Sequence, residues 1–256
     1  MRLSFTKIQT IGNDYLYFDF LKVQKPSGVD FGELSKKISD RRFGVGADGI
    51  VLIEKDKSND CFMRIYNSDG SRGAMCGSAL CGIVNYLSSS TSGEIYISTD
   101  SGVRAAKLEK DGKSRVQMGV PRFVGKTCVE NLEFYKIGVG NNHFVHLCKK
   151  IPDNFETICK RVEKEFDVNI EFAQRVDERT FNVRVWERGS QETFACGTGA
   201  VAVSFVASKF FGIYQKNIAI NLKGGNYLVE FEDEVAFLTG LAKQVFRGSI
   251  ETDDYS

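Results

Sequence analysis

Arg64-Ile65-Tyr66-Asn67-Ser68-Asp69-Gly70-Ser71-Arg72-Gly73-Ala74-Met75-Cys76-Gly77 and Arg184-Val185-Trp186-Glu187-Arg188-Gly189-Ser190-Gln191-Glu192-Thr193-Phe194-Ala195-Cys196-Gly197 decide how this chain is read. Each opens on a strand-like run, and each arginine stands twelve residues before a Cys-Gly pair with no gap between the copies. Behind each pair follows helical spacing of apolar residues: Ala79, Leu80, Ile83, Val84 and Leu87 in the first copy, Ala200, Val203, Phe205, Val206 and Phe210 in the second. The offset of 120 residues is close to half the chain. Strand, loop, Cys-Gly and helix recurring in this way imply two pseudo-equivalent domains facing one another.

Working outward, short runs rich in β-branched and aromatic residues lie between glycine-marked turns and read as strands: Tyr15–Phe20, Gly49–Ile53, Cys61–Tyr66, Glu94–Ser98, Phe181–Trp186 and Asn226–Phe231. Helical spacing covers Phe31–Ser39, Leu80–Leu87, Asn154–Phe166 and Gly199–Phe211. The class is α+β, with strands outnumbering helices.

The 256 residues carry 34 Lys plus Arg against 33 Asp plus Glu, a net charge of +1. That balance gives no electrostatic reason to expect nucleic acid or an anionic membrane as partner. The opening MRLSFTKIQT lacks the apolar core of a signal peptide, and the strongest apolar stretch, Val201–Ala207, is too short to span a bilayer. The expectation is a cytoplasmic protein acting on a small molecule. Seven scattered cysteines read as free thiols and not as a disulfide framework. Most are expected to be small buried hydrophobes, and Cys61, Cys81, Cys128, Cys148 and Cys159 lack the Gly partner and are read as structural.

Cys76 and Cys196 are different. A helix N-terminus exposes unpaired N–H groups and the positive end of the dipole, so a cysteine there is expected to have its thiol pKa lowered toward the working pH. The same N–H groups can hold a carboxylate, and the following glycine lets a ligand approach the backbone. Inverting a stereocentre needs a proton removed from one face of a carbon and another delivered to the opposite face, which one thiolate and one thiol accomplish. The developing carbanion requires donors on the carboxylate in a water-excluded site.

At this point the residues resemble the diaminopimelate epimerase family over nearly the whole chain. Ile11-Gly12-Asn13-Asp14-Tyr15 is similar to its opening GNDF segment, and Arg42-Phe43-Gly44-Val45-Gly46-Ala47-Asp48-Gly49 to its FGIGADG. Arg64 to Ser71 with Met75-Cys76-Gly77 resembles RIFNADGS…MCG, Gly140-Asn141-Asn142-His143 resembles GNPH, and Glu187-Arg188-Gly189 through Gly199 resembles ERG…ETLACGTG. The resemblance implies Cys76 as donor and Cys196 as acceptor in the LL-to-meso direction, exchanging roles in reverse. It implies that His143 and Glu187 influence the thiols, and that Asn13, Asn67, Asn141, Asn169, Glu187 and Arg188 meet the substrate. The backbone N–H groups of Gly77, Ser78, Gly197 and Thr198 would receive the α-carboxylate. It further implies no cofactor and no metal, a homodimer, and a role in lysine and peptidoglycan precursor biosynthesis.

The implied architecture is two pseudo-symmetric domains, each a curved mixed sheet approaching a barrel around its post-cysteine helix. The expected boundaries are 1–119 and 120–240, with 241–256 returning to the first domain and the last strand near Val245–Glu251; the active site would lie in the cleft between domains. Several positions depart from the family pattern: Ser78 for asparagine, Cys81 for arginine, Asn142 for proline, Gln191 for glycine and Leu241 for proline. Ser78 lies where altered substrate preference would arise, so the nearest alternative is a related racemase or epimerase acting on histidine or lanthionine. A zinc protein built on His143-x-x-His146 has weak support, because no CxxC pair accompanies it. A non-catalytic protein of the same fold is disfavoured by the presence of both cysteines, and a pyridoxal enzyme because two thiols already provide acid and base.

Overall fold

The computed structural model describes residues 1–88, 93–213 and 217–255. In chain order the first elements are β1 (Arg2–Thr10), β2 (Asn13–Asp19), α1 (Phe31–Ile38), β3 (Gly49–Glu54), β4 (Cys61–Asn67), β5 (Arg72–Gly73), α2 (Gly77–Leu87), β6 (Glu94–Thr99), β7 (Gly102–Leu108) and β8 (Ser114–Gly119). There follow β9 (Arg122–Val129), β10 (Leu132–Val139), β11 (Asn141–Cys148), α3 (Phe155–Phe166), β12 (Asn169–Arg175), β13 (Thr180–Glu187) and β14 (Gln191–Glu192). The chain continues with α4 (Gly197–Phe211), β15 (Ile218–Leu222), β16 (Gly225–Glu232), β17 (Val235–Gly240) and β18 (Ala242–Glu251). The chain divides into two compact units, Met1–Val116 with Leu241–Ser256, and Gln117–Gly240.

In the first unit β1 pairs antiparallel with β2, β2 lies parallel to β3, and β3 is antiparallel to β4. β4 carries the short β5, lies parallel to β6, and β6, β7 and β8 continue antiparallel, while β18 pairs with the free side of β1. The second unit repeats this order with the same directions. β10 pairs with β11, β11 lies parallel to β12, β12 is antiparallel to β13, and β13 carries β14 and lies parallel to β15. β15, β16 and β17 then run antiparallel, and β9 takes the place beside β10 that β18 takes beside β1. The repeat seen around the two Cys-Gly pairs therefore extends to the whole topology of each unit.

Helix character explains the layering. Helices α1 and α3 are amphipathic: Phe31, Leu34 and Ile38 pack with Phe18, Ile50 and Leu52, and Phe155, Ile158 and Val162 pack with Ile170, Phe172 and Trp186. Asp30 caps α1 by accepting from the Gly32 and Glu33 N–H groups at 2.9 and 3.2 Å. Helices α2 and α4 are apolar or small nearly all round, and both are buried along most of their length. Helix α2 packs on β1, β2, β7 and β18, and α4 on β10, β11, β12 and β15 to β17. Strand β3 is buried on both faces, and α1 packs on one of them.

The approach of α2 to its sheet is closest at Gly82. The Tyr17 hydroxyl donates to the Ala79 carbonyl at 3.2 Å, and a Cβ built on Gly82 would lie 2.0 Å from that hydroxyl oxygen. Gly82→Ala is expected to destabilise the fold by about 1–3 kcal/mol through overpacking. Thermal unfolding of Gly82→Ala checks this, and adding Tyr17→Phe should recover part of the loss.

Candidate active site

Both cysteines are the last extended residues before their helices. Cys76 caps α2 at φ −141° and ψ 122°, and Cys196 caps α4 at φ −135° and ψ 112°. The first turns, Gly77-Ser78 and Gly197-Thr198, are poor helix formers, so the apolar periodicity of the sequence starts late and each helix begins two or three residues before it.

In the first unit the Cys76 thiol faces the start of β2. It donates to Asn13 Oδ1 at 3.7 Å and accepts from the Tyr15 hydroxyl at 3.8 Å. Asn13 is presented by the turn Ile11-Gly12, where Ile11 adopts φ 43°, a strained conformation for a β-branched residue. Its amide is fixed from behind, since Asn13 Nδ2 donates to Asp48 Oδ2 at 2.7 Å and that oxygen also accepts the Asp14 N–H at 3.0 Å. Arg41 bonds both Asp14 and Asp48, and Lys7 pairs with Asp14 at 2.8 Å. Burial raises the Asp14 pKa, but the bonds from Arg41 and Lys7 outweigh it and hold the carboxyl below its ordinary value. Burial and the neighbouring Asp14 charge push Asp48 the other way, upward. Ser78 is buried, and its carbonyl accepts from Thr10 Oγ1 at 2.9 Å.

In the second unit the Gly199 N–H donates to the Cys196 sulfur at 3.4 Å, with Thr198 Oγ1 also at 3.4 Å. These contacts lower the Cys196 pKa, yet burial, followed by the charges of Glu187 and Glu171, raises it well above the ordinary thiol value. The expected lowering at a helix start is corrected here: the balance of these influences raises the Cys196 pKa. Desolvation and two carboxylates outweigh the helix terminus.

His143, on β11, is fully buried, with Nδ1 2.7 Å from Glu171 Oε1 and Nε2 2.8 Å from Asn141 Oδ1. His146 bonds the Glu133 carbonyl through Nδ1, and residues three apart on a strand face opposite sides, so the two histidines do not converge as ligands. Glu187 accepts from Thr193 Oγ1 at 2.5 Å. Asn169 commits both ends of its amide to main chain, accepting from the Arg188 N–H at 3.0 Å and donating to the Asn142 carbonyl at 3.3 Å. The Arg188 guanidinium is exposed beside Asp167. In the first unit, Asn67 Nδ2 meets Ser71 Oγ at 3.0 Å.

The register aligns the two centres. Tyr15 stands opposite Gly49 on β3 as His143 stands opposite Asn169 on β12. Asn13 and Tyr15 thus occupy the places of Asn141 and His143. Sequence reading missed Tyr15, Asp48 and Glu171. Glu171 left one signal: a carboxylate in the otherwise apolar run Ile170-Glu171-Phe172-Ala173, which cannot be buried without a partner. Of the cysteines read as structural, Cys61, Cys81 and Cys159 are buried and Cys148 is half-buried, but Cys128 is exposed on the outer strand β9.

Among solved structures the fold is shared with a probable proline racemase of Agrobacterium radiobacter, at TM-score 0.74 and 12% identity over 99% of this chain and 94% of that one. A hydroxyproline epimerase of Agrobacterium vitis matches at TM-score 0.71 and 12% identity over 97% of this chain and 92% of that one. The fold is therefore one found among amino-acid racemases and epimerases. The profile of the family described as diaminopimelate epimerase matches residues 5–124 and 135–245. Diaminopimelate epimerases of Acetivibrio thermocellus and Desulfovibrio desulfuricans are 34% and 35% identical, covering 98% and 96% of this chain and 100% and 97% of their own lengths. The chain belongs to the diaminopimelate epimerase family, and it is an isomerase of the epimerase class. Among the described residues no helix is long and apolar enough to cross a membrane.

Burial raises the Cys61 thiol to about 12 and the Cys148 thiol to about 11, and it raises Cys159 and Cys196 as well. A folded pKa above the unfolded value contributes stability below the unfolded value of roughly 8.5, and the contribution is lost as pH climbs toward the folded value. These thiols are expected to leave the free energy of unfolding unchanged below about pH 8.5 and to lower it above. Urea unfolding from pH 7 to 10 under reducing conditions checks the sign. A rise above pH 8.5 would contradict it.

Proposed function

We propose that this protein interconverts LL- and meso-diaminopimelate by a two-base proton transfer at the α-carbon, with Cys76 serving one face and Cys196 the other. One thiolate sulfur takes the α-proton and becomes a thiol, leaving a carbanion stabilised by its carboxylate. The other thiol then delivers its proton to that carbon and becomes a thiolate. In the LL-to-meso direction Cys196 accepts and Cys76 donates, and the roles exchange in reverse. The observation that carries this reading is a Cys-Gly at the head of a buried helix in each of two units of identical topology. The raised Cys196 pKa favours its thiol form, the form that donates in the meso-to-LL direction.

The N–H groups of Gly77, Ser78, Gly197 and Thr198 are the proposed cradle for the α-carboxylate. Asn13 and Asn141 are proposed to orient the reacting head. Asn67, Glu187 and Arg188 are proposed to recognise the second amino-acid head, with Asn169 holding the Arg188 backbone in place. Two-thiol chemistry supplies both acid and base, so the reading needs no pyridoxal phosphate. It places the protein in the cytoplasm as a homodimer serving lysine and peptidoglycan precursor synthesis. The relatives named as diaminopimelate epimerases support this substrate over histidine or lanthionine.

Stereochemical analysis of the purified protein with LL- and meso-diaminopimelate, histidine and lanthionine tests it. Inversion of diaminopimelate is expected, with Cys76→Ser and Cys196→Ser each lowering it by about a thousandfold or more. Turnover of another amino acid with diaminopimelate inert would overturn the substrate. Full inversion by either variant would overturn the two-base assignment.

A further inference from the structure

We propose that Glu171 is a positioning residue whose carboxylate keeps His143 doubly protonated and thereby fixes which end of the Asn141 amide is left for the substrate. This rests on the reading of Asn141 as a group beside the reacting head. His143 is sealed from solvent and both its ring nitrogens face acceptors, Glu171 Oε1 at 2.7 Å and Asn141 Oδ1 at 2.8 Å. A neutral imidazole carries one N–H and cannot satisfy two acceptors, whereas an imidazolium donates to both. The alternative is a neutral ring with the Asn141 amide turned over, its NH2 donating to the ring. With Glu171 ionised, ring protonation and amide orientation are therefore one choice.

Glu171 makes that choice. The carboxylate is fully buried, and its second oxygen, Oε2, has no hydrogen-bond partner. A buried carboxylate so placed requires a cation, and the ring in contact with it supplies one. Among the described residues, the other titratable groups coupled to this centre, Cys196 at the head of α4, Glu187 at the end of β13 and Cys159 on α3, bring no positive charge. With the ring donating to Oδ1, Asn141 keeps its Nδ2 hydrogens for a carboxylate or carbonyl of the ligand. The oppositely turned amide would present an acceptor.

Two further features are cut to fit this arrangement. A Cβ on Gly199 would lie 2.5 Å from Glu171 Oε1, so the first turn of α4 has room for the carboxylate only because residue 199 is glycine. In the first unit the register position of Glu171 is held by Val51, and that of His143 by Tyr15. Tyr15 is a neutral hydroxyl that meets its cysteine directly and needs no counter-charge. The carboxylate accompanies the histidine and is missing where the histidine is missing.

The test is nitrogen-15 NMR of protein labelled at histidine, feasible because the chain has only two histidines. His146→Gln assigns the signals. At neutral pH both ring nitrogens of His143 are expected to be protonated in the wild type. In Glu171→Gln one is expected to be bare, and kcat/KM for the epimerisation to fall about tenfold or more. A bare ring nitrogen in the wild type, or a Glu171→Gln spectrum and rate unchanged from wild type, would overturn the proposal. Should Glu171→Gln not fold, the wild-type spectrum alone decides. A doubly protonated His143 in a protein that does not invert diaminopimelate would sink the functional reading and leave this one standing.

Discussion

Each unit is organised around a helix that starts at a cysteine and is apolar nearly all round. Such a helix cannot sit on a surface, so the sheet wraps it, and the small residues Gly82 and Gly199 let its neighbours approach closely. Burying the helix also buries its first turn, and in the second unit the Cys196 thiol with it, while Cys76 is half-buried. The chemistry follows from that constraint: once water is removed, sulfur protonation depends on the few polar groups packed beside it. At Cys196 burial and the charges of Glu187 and Glu171 outweigh the helix N–H groups and raise the thiol pKa.

The two centres share a topology and differ in polarity. In the first unit, asparagine and tyrosine contact the sulfur of Cys76, and a network of Asp48, Asp14, Arg41 and Lys7 steadies the asparagine from behind. In the second, the same strand positions carry Asn141 and His143, and the support behind them is the single carboxylate of Glu171. A reversible two-base reaction needs acid and base of comparable strength on the two faces. Duplication supplied two equivalent scaffolds, and their different supporting residues allow each thiol to be set separately.

Much of this was legible in the residues. The run Gly49–Ile53 is buried on both faces, and its lack of polar alternation says so, whereas Phe181-Asn182-Val183-Arg184-Val185 alternates as a strand with one covered face. The amphipathic helices announced themselves by period. The outer strand β9 was not read, because its exposed residues, Arg122, Phe123, Val124, Lys126 and Cys128, mix apolar and charged side chains without strict alternation. The first turns of α2 and α4 escaped because glycine, serine and threonine argue against helix unless the preceding cysteine is known to cap it. The Cys196 pKa direction was misread for a deeper reason. The helix terminus is local in sequence, whereas Glu171, twenty-five residues away, reaches the thiol only through the register of β12.

The central claim is that protons enter and leave the α-carbon through two separate thiols. It is tested most directly by running the reaction from LL-diaminopimelate in deuterium oxide and analysing substrate and product at low conversion. Two bases predict deuterium at the inverted carbon of the product and none in the remaining substrate, since the thiol that donates is not the one that abstracts. Early deuterium in the unconverted LL isomer, or a product that retains the original hydrogen, would contradict the account.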